Sequence, residues 1–231
     1  MAEHMVHEQL EFGRIRPNES EDVLVMRAKQ ILSFFADRHT FYTDVLGLEH
    51  IGADPLPNPA NMDEVSEIVH QIQGEKGQTE TYSFVGAFAV GASELDELQD
   101  DTERFSPLRG LMILRKPEGH CTPGNHTETE IVEWAVRTRE RGQGNGKKLA
   151  VAAYSQTRWL CDGADTLFTT IPEGDVRTTA WLPYYGFERS ETPPVRDPEY
   201  DTNRLRLEVP NVAFMDRIAP PHESSPPFTA A

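Results

Sequence analysis

Trp134-Ala135-Val136-Arg137-Thr138-Arg139-Glu140-Arg141-Gly142-Gln143-Gly144-Asn145-Gly146-Lys147-Lys148-Leu149 decides how this chain is read. It opens in a strand-forming run, Glu128 to Val136. It closes in a helical pattern, Lys147 to Leu160, with Leu149, Ala152, Ala153, Gln156 and Leu160 along one side. Glycines between them let the backbone turn so that consecutive N–H groups converge, and the first N–H groups of a helix have no partner within it. A helix start also carries partial positive charge. With Arg141 and Lys147 beside it, such a loop can hold a pyrophosphate without a metal. A flexible surface turn would use glycines too, so context has to decide. The stretch lacks the Gly-Lys-Ser/Thr ending of a nucleotide triphosphate loop. It also follows three or more strands, too late for the first crossover of a dinucleotide fold.

Upstream, Leu10 to Ile15 reads as a short strand. Asn18, Ser20, Glu21 and Asp22 then supply a capping residue and carboxylates for a helix start. From Val23 to about Leu46, Leu24, Ala28, Ile31, Leu32 and Phe35 recur at helical spacing. A proline loop, Ala53 to Asn61, leads to a second helix, Met62 to Gln73, striped by Val65, Ile68, Val69 and Ile72. Thr81 to Val90 and Leu108 to Leu114 read as strands. The acidic stretch Ser93 to Arg104 reads as a solvated loop or short helix, and Lys116 to Thr127 as a turn-rich connection. Downstream come a strand, Thr166 to Ile171, and a weak helix, Asp175 to Tyr184. Gly186-Phe187 turns into another strand, and Asn203 to Val209 alternates cleanly. The order is strand, two helices, three strands, helix, strand, helix, two strands, which predicts one mixed α/β domain. It spans 9–210, between a flexible N-terminus (1–8) and a Pro-rich tail (211–231) expected to be disordered, whose part from Pro220 on has too little apolar content to fold.

The 231 residues suffice for one sizeable core. The formal charge of −16 argues against nucleic acid and favours a cationic acceptor such as a protonated amine, although surplus carboxylates also serve solubility. No apolar run approaches membrane-crossing length, so no membrane partner is expected. Met1 to Glu11 is too charged to read as a secretory signal. Cys121 and Cys161 form no disulfide framework, which points to the cytoplasm. His120, Cys121 and His126 match no common zinc spacing, and no metal is expected. A homodimer is left open.

Arg141-Gly142-Gln143-Gly144-Asn145-Gly146 resembles the Arg/Gln-x-x-Gly-x-Gly/Ala signature of the general-control-related N-acetyltransferases, the GNAT superfamily. Val136 and Leu149 match apolar positions around that signature. Thr138 stands where the family often has proline. Gly186-Phe187 resembles its later Gly-Phe pair, and Arg14-Ile15-Arg16-Pro17 its opening strand. The resemblance is specific over about Glu128 to Phe187. It implies a mostly antiparallel central sheet flanked by helices, with the fourth and fifth strands splayed apart. It implies acetyl-CoA as co-substrate. The pantetheine arm would then pair with backbone at Ala135, Val136 and Arg137, and the pyrophosphate with Arg141, Gly142, Gln143, Gly144, Asn145, Gly146 and Lys147.

The implied reaction moves acetyl directly from the thioester to an amine, which must first lose a proton. Glu130 is the first choice of base, because Glu130-Ile131 resembles the Glu-Ile run of the histone-acetylating branch. Glu133 is the second. Along a regular strand the two face opposite sides, so at most one reaches the cleft unless a bulge intervenes. The family's tyrosine acid falls at Leu182 in this chain, and Pro183-Tyr184-Tyr185 follows. Tyr184 and Tyr185 are therefore the acid candidates, against a reading as packed aromatics. The reading is an N-acetyltransferase acting on a primary amine. The alternatives are another acyl-CoA donor, or a non-catalytic acyl-CoA-binding module.

Overall fold

The structure, a computed structural model, describes residues 9–46, 57–74, 82–90, 108–116, 127–157, 164–197 and 202–219. Strand β1 (Leu10–Arg14) leads into α1 (Glu21–Leu46), whose first turn holds Glu21 and Asp22 at the positive end of the helix dipole. Helix α2 (Met62–Gln73) starts at Asn61, whose side chain accepts from the Asp63 N–H at 3.1 Å and donates to Glu64 at 2.7 Å. The first bond satisfies a helix-start N–H that would otherwise lack a partner, and the second holds the capping side chain. Strands β2 (Tyr82–Ala89), β3 (Leu108–Arg115) and β4 (Thr127–Val136) follow. A 3-10 turn (Thr138–Glu140) and α3 (Asn145–Thr157) then lead to β5 (Ala164–Pro172). Helix α4 (Val176–Trp181), a second 3-10 turn (Leu182–Tyr185), β6 (Glu188–Arg189), β7 (Val195–Asp197), β8 (Thr202–Pro210) and α5 (Asn211–Ile218) complete the described chain.

The strands form one sheet in the order β1-β2-β3-β4-β5-β8-β6, with β7 also paired to β8. Every pairing is antiparallel except β4 with β5. One face carries Phe84, Leu111 and Ile113 against Leu24, Ile31 and Phe34 of α1 and Ile72 of α2. The other carries Met112, Leu114, Ile131, Leu167 and Val209 against Leu149, Ala150 and Ala153 of α3 and Phe214 and Ile218 of α5. A sheet with both faces covered buries apolar residues at successive positions, and five consecutive residues of β3, Gly110 to Leu114, are buried.

Two elements depart from the expected order. Strand β7 sits beside Pro193 and Pro194 and is short enough to leave little alternation. Helix α5 lies inside the stretch expected to be an unfolded tail. Its Phe214 and Ile218, four residues apart on one helix face, are fully buried. The folded chain therefore runs past 210 to Ile218. Residues 1–8, the acidic stretch 93–104, His120, Cys121, His126, Leu160 and the chain from 220 onward lie outside the described residues.

Candidate active site

The parallel pairing of β4 with β5 runs from Thr127↔Ala164 to Glu130↔Phe168. Beyond those residues the two strands part. A cleft of about 580 Å³ opens between residues 131–136 of β4 and 169–172 of β5, inside the size range of small-molecule pockets. The glycine loop and the start of α3 close one end of it, through Arg141, Gly142, Gly144, Asn145, Gly146 and Lys147. Asp175, Trp181 and Tyr185 line another side.

Loop shape follows from the glycines and one buried pair. Gly142 and Gly144 stand at φ +77° and +75°, where a side chain is strained, and nothing lies within 4 Å of either absent Cβ. Asn145 and Glu140 are both buried. Asn145 Nδ2 donates to the Glu140 carbonyl at 3.2 Å and to its carboxylate at 3.4 Å, bracing the loop across its turn. Trp134 Nε1 of β4 donates to the Gly146 carbonyl at 3.1 Å, tying the helix start to the strand. The i→i−4 ladder of α3 begins with Lys148 N–H to Gly144 O, at 3.0 Å. The N–H groups of Asn145, Gly146 and Lys147 therefore precede that ladder, next to the cations of Arg141 and Lys147. Open space, helix-start donors and positive charge suit a pyrophosphate.

Two residues whose backbone was expected to meet the coenzyme have side chains engaged elsewhere. Arg137 donates from Nε to the Leu108 carbonyl at 2.9 Å and from its backbone N–H to Arg109 at 2.8 Å, with its guanidinium over the Phe34 ring. Gln143 folds back to the Arg139 carbonyl at 3.1 Å. Neither lines the cleft, whereas Ala135, Val136, Arg141, Gly142, Gly144, Asn145, Gly146 and Lys147 do.

The carboxylates reverse the expected geometry. Ile113 pairs with Glu133 and Leu114 with Ile131, so Val132 is an extra residue on β4. This β-bulge cancels the alternation between positions 130 and 133. Glu133 shares the face of Ile113, and Glu130 that of Arg115, which is the same face of the sheet. The expectation of opposite faces is corrected by that one residue. Glu130 is buried and lies outside the cleft lining; Arg115 donates to its Oε2 from Nε, at 2.7 Å, and from Nη2. Burial works to lower the Arg115 pKa, but the contacts with Tyr82 and Glu130 outweigh it and hold that pKa above its ordinary value. Glu133 is half-buried and lines the cleft, its Oε1 accepting from the Trp134 N–H at 2.9 Å. Arg115 could not be found from sequence spacing, because its partner is fifteen residues away on another strand.

The tyrosines separate as sharply. Tyr184 is 76% exposed and outside the cleft. Tyr185 lines it, packed on Trp134 with ring centroids 4.7 Å apart. Burial pushes the Tyr185 phenol up, so it keeps its proton at neutral pH.

Solved structures share this arrangement of strands and helices. A PaiA N-acetyltransferase from Thermoplasma acidophilum, in complex with coenzyme A, superposes with a TM-score of 0.54 at 14% identity, covering 86% of this chain and 98% of that one. A probable acetyltransferase from Staphylococcus epidermidis gives 0.52 at 10% identity, covering 88% and 99%. The chain has the GNAT fold. At these identities the likeness concerns the fold. No protein-family model matches the sequence, and no curated protein sequence matches it. Within the GNAT fold, the parted strands and the glycine loop lie at one cleft, between the fourth and fifth strands of the sheet. Among the described residues, no helix is long and apolar enough to cross a membrane, and no group of three His, Cys, Asp or Glu is placed to hold a metal ion.

Proposed function

We infer that this GNAT-fold protein is an acetyl-CoA-dependent N-acetyltransferase acting on a primary amine. One observation carries the reading. The glycine loop, the β4 edge freed from β5 and the Glu133 carboxylate all line the same cleft. When bound, acetyl-CoA supplies an activated acyl thioester. The chain supplies the rest. Asn145, Gly146 and Lys147 N–H groups, with the Arg141 and Lys147 cations, would hold the pyrophosphate at the loop end. The β4 edge would align an extended arm as an added strand. Glu133 is the group best placed to take the proton of an ammonium, directly or through one water, and the protein's acidic balance suits such a cation. Tyr185, which lines the cleft and keeps its proton, is the candidate acid for the leaving thiolate. Glu130 is assigned to structure, since its Oε2 is already taken by Arg115.

The test is thiol release from acetyl-CoA across a panel of small amines and lysine peptides, with two paired variants. Glu133→Gln should lower turnover by about a hundredfold, the usual worth of a positioned base. Glu130→Gln leaves the part-exposed Arg115 facing a neutral partner. It should cost about 1–2 kcal/mol of stability, between the values for exposed and buried pairs, and lower turnover far less. The opposite pattern returns the base to Glu130. No release with any amine would favour a binding module.

A further inference from the structure

The freed edge of β4 is not bare. Arg137 N–H donates to Arg109 O across β3, and antiparallel alternation then turns the N–H and C=O groups of Val136 and Trp134 away from β3, toward the gap. These are the groups an added strand would use. Side chains of the cleft itself already engage two of them. Arg141 Nε donates to the Val136 carbonyl at 3.2 Å, and Glu133 Oε1 accepts from the Trp134 N–H at 2.9 Å. A polar edge inside a cleft needs partners, and a carboxylate one residue away can supply one with little loss of freedom.

We propose that Glu133 is an exchangeable cap on β4, displaced from the Trp134 N–H when an extended ligand pairs with that edge. The inference rests on the coenzyme reading above and deepens it. One side chain then has two states. With the edge unpaired, its Oε1 accepts from the Trp134 N–H. With the edge paired, the same oxygen is released toward the acceptor. Occupancy of the cleft and availability of the base are thereby coupled through the bond to the Trp134 N–H. The bulge at Val132 makes this geometry reachable, because it sets Glu133 on the face from which its carboxylate curls back to the next N–H.

The coupling predicts an unusual sign. Removing a residue from a binding cleft ordinarily weakens binding, whereas removing a competing cap strengthens it. In calorimetric titrations with coenzyme A, Glu133→Ala should bind about five- to tenfold more tightly than the unmodified protein, the worth of one net hydrogen bond. Glu133→Gln keeps a neutral acceptor and should stay within about threefold. Both variants should lose turnover. The Trp134 amide resonance of the unmodified protein should shift when coenzyme A is added, and in Glu133→Ala it should already be displaced before addition. Equal or weaker binding by folded Glu133→Ala overturns the proposal. So does equal tightening in both variants, which would mark charge repulsion instead of a cap. A Trp134 amide that stays still while the Gly144 amide moves overturns it without any variant. Absence of coenzyme A binding by the unmodified protein has a different meaning: the cleft reading itself fails, and the cap with it.

Discussion

At Gly142 and Gly144 the backbone lies in the left-handed region, with open space where each Cβ would stand. A side chain there meets no neighbour, so its penalty is local, about 1–2 kcal/mol for leaving or straining that conformation. Gly144→Val should therefore leave a folded protein with a melting point lowered by a few degrees. The loop would relieve its strain by rotating the peptides on either side, and the converging N–H groups would lose their common focus. Coenzyme A affinity should fall by on the order of a hundredfold, since several charge-assisted bonds weaken together. Calorimetry on the folded variant measures it. Unchanged affinity would contradict the assignment of the loop.

Elements differ in how much of themselves they write into the chain. Helix α2 was legible to the residue, because Val65 and Ile72 belong to the apolar stripe that its spacing marks. The glycine loop was legible because a left-handed turn demands glycine. The Val132 bulge was not, since an extra residue in a strand needs no special letter and shows itself through its partner on β3. Faces assigned to Glu130 and Glu133 by alternation failed for that reason. Helix α5 was hidden by its eight-residue length and by the prolines that follow it. Yet α5 supplies Phe214, which meets Trp134, Tyr185 and Phe187 with centroids 5.9 to 6.4 Å apart. Phe214→Ala should cost about 3–5 kcal/mol in chemical denaturation, the range for a buried aromatic. Loss below 1 kcal/mol would mean that α5 is not part of the core.

Across the whole molecule the charge balance is −16, while the loop end of the cleft gathers Arg141 and Lys147. The long-range field should draw cationic acceptors, and salt should screen it. For a cationic amine, kcat/KM should fall as salt rises; for an uncharged acceptor of similar size it should not. Parallel responses would remove the case for electrostatic selection. The aromatic cluster joins β4, α4, the second 3-10 turn and α5 into one wall, with Trp134 and Trp181 edge-on at 4.9 Å, and both indoles line the cleft. The protein thus carries its own optical gauge of occupancy. Adding coenzyme A should change the colour and yield of its ultraviolet emission, and Trp134→Phe should remove most of that response. A cleft that reports its filling in light lets binding be followed within the dead time of a mixing experiment, with no label and before any acceptor is known.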